Sequence, residues 1–265
     1  MNLTAKPNNR RWWRTPPIPA LRRLFEPYFQ PARLGRAIID TPRYILDFYR
    51  YRRTCMIRGI GVPRMADLSP VFGQRGQHEI DAHYLYLNAW AARRVVADRP
   101  LEHVDIGSQL AFTSVLSAAV PVRMVEFRPV PLNIGQLSFC RGSILQLPFP
   151  DSSLQSISSL HVIEHIGLGR YGDPLDPEGT IKAARELSRV LAPTGKLLVG
   201  IPMGRSRVFF NGHRVHNSKE ILRMFGELRV VEFSGVDDQG EFVENRHLQE
   251  LDNCVFACGF FLFTK

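Results

Sequence analysis

Residues 147–165, LPFPDSSLQSISSLHVIEH, carry a proline-flanked turn into a serine-rich strand that ends on His161, Glu164 and His165. A strand that closes on polar side chains rather than on a solvent turn commonly closes at a site, because open parallel sheets bind ligands at the carboxyl ends of their strands. Outward from this stretch the sequence alternates. Strand-like runs stand at 103–107, 122–127, 137–142, 153–161, 196–202, 229–236 and 253–265, and helical runs at 78–99 and 177–191 separate the early ones. In the second helix Ile181, Ala184, Leu187 and Leu191 form an apolar stripe, and Asp176-Pro177 supplies the N-cap and first-turn signals. Repeated strand–helix–strand units specify an α/β fold with a doubly wound, mostly parallel sheet. The last two strands are joined without a helix and are expected to close the sheet as an antiparallel pair.

The charge is unevenly placed. Residues 1–58 hold 13 Lys/Arg against Glu26, Asp40 and Asp47, a net of +10, whereas the whole 265-residue chain carries +9, so the remainder stands at −1. The high isoelectric point therefore belongs to an N-terminal extension, in which Trp12, Trp13, Phe25, Tyr28 and Phe29 alternate with arginines and seven prolines are expected to break any long helix. Three regions follow: a basic, aromatic-rich extension over 1–60, a linker over 61–77 and a body over 78–265. The near-neutral body offers no basic channel, which argues against a nucleic-acid substrate. The extension leaves two readings open, a segment lying on an anionic membrane surface and an arm packed around the body. No run of 18 apolar residues and no cleavable leader is present, and the four cysteines lack Cys-x-x-Cys spacing, so a cytoplasmic protein is expected, peripheral at the membrane if the extension binds there. Cys254 and Cys258 are expected on one face of the last strand, as core packing and not as a metal pair.

The first strand ends on Asp105-Ile106-Gly107, and Glu126 closes the second, 21 residues after Asp105. That spacing suits a carboxylate on the two hydroxyls of a ribose, with a glycine letting the backbone approach the ligand. HVDIGS (103–108), MVEF (124–127), the 147–165 stretch and RELSRVLAPTGKLLVGIP (185–202) together resemble, in order, the motifs of class I S-adenosylmethionine-dependent methyltransferases. EHIGLGRYGDPLDPEG (164–179) and FNGHRVHNSKEIL (210–222) further resemble an uncharacterised bacterial branch of that fold, a family of unknown function. The resemblance covers about residues 78–265 and implies a seven-stranded Rossmann-like methyltransferase sheet with an antiparallel closing strand. It also implies S-adenosylmethionine as cofactor, held by Asp105, Gly107, Glu126, Ser143 and Glu164, and a small-molecule or glycan-like acceptor.

Two positions depart from the family pattern. Gln109 stands where a glycine lets the methionine end of the cofactor approach, and Ser143 stands where an acid faces the adenine amino group. These substitutions keep alive an alternative, a catalytically inactive methyltransferase-like binding or scaffold module. Transfer to a hydroxyl needs a base, and a histidine suits that role. His165, just past the fourth strand, and His213, in the turn-rich loop 209–218, are the candidate catalytic residues. Arg214 and His216 share that loop and could add acceptor contacts. Asp173 and Asp176 invite a divalent-metal reading with His161 or His165, but Asp-Pro is mainly turn and N-cap chemistry, and no metal is expected.

Overall fold

The computed structural model describes residues 31–67 and 81–265 and divides into two compact units, Met1–Ile80 and Asp81–Lys265. In the first unit a 28-residue helix α1 spans Pro31–Arg58 with Pro42 inside it, followed by a 3₁₀ turn at Met65–Asp67. The expectation that prolines break any long helix is corrected here. Pro31 stands at the first helical position, where its missing N–H had no partner to lose, and Pro42 removes a single i→i−4 bond from a long ladder. The aromatic run before residue 31 lies outside the described residues, as does the linker from 68 to 80.

The second unit is built on an eight-stranded sheet in the order β3-β2-β1-β4-β5-β10-β8-β9. Its strands are β1 (His103–Ile106), β2 (Val122–Glu126), β3 (Leu137–Arg141), β4 (Leu154–Leu160), β5 (Leu191–Met203), β8 (Arg229–Val236), β9 (Phe242–Val243) and β10 (Ala257–Thr264). The first five are parallel, and β10 inserts antiparallel between β5 and β8. All seven expected strands are present, and the antiparallel closure falls where it was expected. A second, two-stranded sheet pairs β6 (Arg207–Phe209) with β7 (His213–Val215), so the loop after β5 is a hairpin rather than an irregular turn.

Helices cover both faces. Along β5 the side chains alternate: Leu197, Val199 and Ile201 join one apolar cluster with Ala183, Ala184 and Leu187 of α4 (Gly179–Val190) and Ile221 of α5 (Ser218–Met224). Leu198 points to the other face, into a cluster with Leu87, Trp90 and Val95 of α2 (Ala82–Asp98) and Phe112 and Leu116 of α3 (Leu110–Leu116). This period-two division is what a sheet buried on both faces requires. Gly200 lets α2 settle on β5, since a Cβ there would lie 2.2 Å from Leu87 Cδ2. Asp81 opens α2 by accepting the Tyr84 N–H at 3.3 Å.

The serines of β4 have a specific use. His103 of β1 is fully buried, with Nδ1 2.8 Å from Ser156 Oγ and Nε2 2.9 Å from Ser158 Oγ. Burial pushes the His103 imidazole down to about 3, so it is neutral, and Nε2–H donating to Ser158 is the tautomer the network selects. Ser158 in turn donates to Asp105. Two strands buried on both faces thus carry a polar ladder whose members satisfy one another, which is the condition for tolerating it in a core.

Candidate active site

The ladder ends at the turn after β1. Asp105 accepts the Ser108 N–H at 3.0 Å and the Ser108 hydroxyl at 2.6 Å, and Ser108 Oγ accepts the Leu160 N–H at 3.0 Å. Burial pushes the Asp105 carboxyl up to about 6, against the pull of the Ser108 and Ser158 hydrogen bonds. Asp105 is fully buried and shapes the turn from inside, its oxygens engaged by Ser108 and Ser158. Gly107 takes φ +70, a left-handed conformation that a side chain would strain, and a Cβ there would meet Val162 at 3.2 Å.

The carboxyl ends of four adjacent strands then line one edge in the order β3, β2, β1, β4. Ser143 follows β3, where its Oγ accepts the Leu145 N–H at 3.2 Å. Glu126 ends β2, half-buried; burial raises its carboxyl, opposed by the Phe127 N–H. Gly107 follows β1. His161 and Glu164 follow β4, Glu164 lying in a 3₁₀ turn at Ile163–His165. Gln109, at the start of α3, accepts from the Asn88 side chain at 3.3 Å.

Past β4 the residues converge. Glu164 is buried, with Oε1 2.9 Å from His161 Nδ1 and 3.7 Å from His165 Nε2, and Oε2 has no hydrogen-bond partner among the described residues. Burial favours the neutral carboxyl, but hydrogen bonding and charge from His161, with His165 adding to them, hold Glu164 below its ordinary value. His165 Nδ1 donates to the Gly212 carbonyl at 2.7 Å, which anchors the β6–β7 hairpin to the 3₁₀ turn. The His165 and His213 rings lie edge to face at 6.5 Å, so the two candidate catalytic histidines are brought together. His213 packs between Phe209 at 4.8 Å and Phe256 at 4.9 Å, its Nε2 has no partner among the described residues, and burial pushes it down to about 4. It is thus neutral near pH 7.

Other loop residues are committed to structure. Arg214 is buried and donates to the Ile166 carbonyl at 2.6 Å, Thr180 Oγ1 at 3.1 Å and the Asp176 carbonyl at 3.1 Å, so it staples the hairpin to the start of α4 instead of meeting an acceptor. His216 Nδ1 lies 3.2 Å from Glu220, within the cap of α5. Asp173 accepts the Gly167 N–H at 2.6 Å and the Tyr171 N–H at 3.2 Å, and Asp176 accepts the Glu178 N–H at 2.9 Å and pairs with Lys182 at 2.7 Å, which is the turn chemistry that Asp-Pro suggests; the N-cap of α4 is Glu178 and not Asp176, which corrects that expectation. Cys254 precedes β10 instead of sharing a strand face with Cys258, which corrects that placement. Sequence reasoning passed over His83, in the first turn of α2, and Tyr171, whose ring lies 5.9 Å from that of His165. No local motif marks either of them. The hairpin did have a signal, Asn211-Gly212, with Asn211 at φ 60.

The parallel order 3-2-1-4-5, extended by an antiparallel strand inserted before the last one, defines the class I methyltransferase architecture. Residues 150–257 match the model of a family described as Caenorhabditis protein of unknown function, DUF268. The bacterial origin expected for the branch is therefore not supported. No curated protein matches. Among solved structures, the [4+2]-cyclase SpnF is 14% identical over 68% of this chain and 80% of its own, with a TM-score of 0.51. The N-methyltransferase NodS from Bradyrhizobium japonicum, in complex with S-adenosyl-L-homocysteine, is 17% identical over 70% of this chain and 88% of its own, at 0.46. A TehB-like methyltransferase from Corynebacterium glutamicum is 16% identical over 84% and 99%, at 0.42.

Proposed function

We propose that the chain is an S-adenosylmethionine-dependent methyltransferase acting on a small-molecule or glycan-like acceptor. The observation that carries this reading is the ordered edge Ser143, Glu126, Gly107, Glu164 across adjacent strand ends, with a half-buried carboxylate closing β2. The donor set fits a nucleoside cofactor: Glu126 for the two ribose hydroxyls, the left-handed turn at Gly107 for close backbone approach, and the Ser143 hydroxyl for the adenine amino group. S-adenosylmethionine supplies an electrophilic methyl group when bound. Asp105 holds the turn in place through Ser108. For a hydroxyl acceptor neutral His213, whose buried Nε2 has no partner among the described residues, is the candidate base once the hairpin admits the acceptor, while His165, fixed through Gly212, positions that hairpin. Glu126→Ala is expected to weaken cofactor binding by about 1.5 to 3 kcal/mol, the range for a hydrogen bond to a charged group, with an unchanged far-UV circular dichroism spectrum. Unchanged affinity would place the nucleoside elsewhere.

A second reading, a methyltransferase-like module without methyl transfer, is favoured by Gln109, whose side chain is fastened to Asn88 at the cofactor turn. The fold match to a [4+2]-cyclase points the same way, since one fold hosts several chemistries. The N-terminal extension fits an anionic membrane surface. In α1 six of the seven exposed large apolar residues among those described, Ile38, Ile39, Leu46, Tyr49, Met56 and Ile57, fall within one sector of about 100° at 3.6 residues per turn, which also holds exposed Arg53, while Tyr51 lies opposite and exposed Arg43, Arg50 and Arg58 stand on the same helix. Among the described residues no helix is long and apolar enough to cross a membrane, and the expected location is the cytoplasm, at a membrane surface where α1 engages one.

A further inference from the structure

Three residues far apart in sequence meet at the edge of the sheet: His83 in the first turn of α2, His161 after β4 and Cys258 in β10. One imidazole nitrogen from each histidine and the Cys258 sulfur all lie within 4.8 Å of one another. Cys258 Sγ is 3.3 Å from His161 Nε2. Zinc bonds of about 2.3 Å to sulfur and about 2.0 Å to imidazole nitrogen set a tetrahedral edge of roughly 3.5 Å between the two donors. The Cys258–His161 pair therefore already has ligand spacing. The His83 ring lies nearly parallel to that of His161, at 6.0 Å, and is partly buried, so a rotation of its side chain closes the third side.

The surroundings match a metal site more closely than a chance cluster would. Glu164 accepts from His161 Nδ1 at 2.9 Å, which fixes the tautomer and aims Nε2 at Cys258, the carboxylate–histidine arrangement that stands behind metal-bound imidazoles. His161 also adopts φ 58, a strained conformation for a non-glycine residue, and strain of that kind collects where a side chain must be aimed. The same Glu164–His161–Cys258 line could suggest a nucleophilic thiol. Cys258, however, is fully buried and its sulfur faces the His161 Nε2 at 3.3 Å, so it is the imidazole and not an outside substrate that meets it.

We propose that His83, His161 and Cys258 bind one zinc-class divalent ion, with Glu164 orienting His161 and the fourth coordination position open. Two imidazoles and a thiolate select zinc or cobalt over magnesium or calcium. Three protein ligands and an open position are the pattern of catalytic rather than structural zinc. Glu164 also approaches His165 at 3.7 Å, which puts the ion beside the acceptor-side cluster, where it can hold an oxygen or nitrogen of an acceptor. The site stands independently of the methyl-transfer reading and is a proposal against the expectation of no metal.

The full chain, stripped with chelator and titrated with cobalt(II), should take up one equivalent with a thiolate-to-cobalt charge-transfer band, and zinc should displace it. Cys258→Ser should abolish the band while Cys254→Ser keeps it, and Glu164→Gln should lower affinity about 10- to 100-fold. His83→Asn, at a partly buried position, should lower it at least tenfold. Folded wild-type protein that shows no band at one equivalent would overturn the proposal, as would a band that survives Cys258→Ser. Should Cys258→Ser fail to fold, unchanged affinity in His83→Asn overturns it equally.

Discussion

Asp105 gives the polar ladder a measurable pH signature. Its carboxyl is pushed from an ordinary 3.8 up to about 6 by complete burial, so the folded state holds the proton more tightly than the unfolded chain. A raised carboxyl contributes stability that is fully present below the unfolded value and is lost as pH rises through the folded one. Each pH step of one over which the two states differ by a whole proton is worth roughly 1.36 kcal/mol, and integrating the difference from pH 5 to pH 8 gives a loss of about 1.4 kcal/mol. Asp105→Asn keeps an acceptor for the Ser108 N–H and removes the ionisation. It disturbs the Ser158 contact by a fixed cost, because the adjoining His103, pushed down to about 3, stays neutral throughout. Urea unfolding of both proteins at pH 5, 6, 7 and 8 isolates the Asp105 contribution, since every other titrating group is common to the pair. The stability of Asp105→Asn relative to wild type should rise by about 1.4 kcal/mol from pH 5 to pH 8. A flat difference, or one that falls with pH, would refute the ladder as described.

Gly200→Ala should destabilise the body by about 1 to 3 kcal/mol in urea unfolding, because its Cβ would press on the fully buried Leu87; a loss below half a kilocalorie would show that α2 yields there. The full chain should co-sediment with anionic vesicles at low salt and be released at high salt, each arginine near the surface contributing on the order of 1 kcal/mol, whereas a chain beginning at Met65 should stay in the supernatant. Retention of both in the supernatant would assign the extension to the fold or to another partner.

The order of strands was legible because each one is a short apolar run bounded by turn residues, and because their two-sided burial follows from the helices between them. The positions of Gly107 and Glu126 at strand ends were legible for the same reason, each being the turn or polar residue at which a strand stops, whereas Glu164 lies in the 3₁₀ turn four residues past β4. Asp105 was placed correctly, but its role was not legible. Only the tertiary pairing of β1 with β4 shows that Ser108 and Ser158 consume its oxygens. The helix through Pro42 was missed because local propensity was given more weight than length. The convergence of His83, His161 and Cys258 has no local spacing to reveal it, since α2, β4 and β10 meet only after the antiparallel strand inserts beside β5.

The central claim is that the edge formed by β3, β2, β1 and β4 holds a nucleoside cofactor. Isothermal titration of the full chain with S-adenosylmethionine, and separately with S-adenosylhomocysteine, tests it most directly. The account predicts saturable binding of both at one site per chain, accompanied by a rise in melting temperature. Neither heat nor a thermal shift with either ligand, in protein that unfolds cooperatively, would contradict it and leave the fold serving a different chemistry.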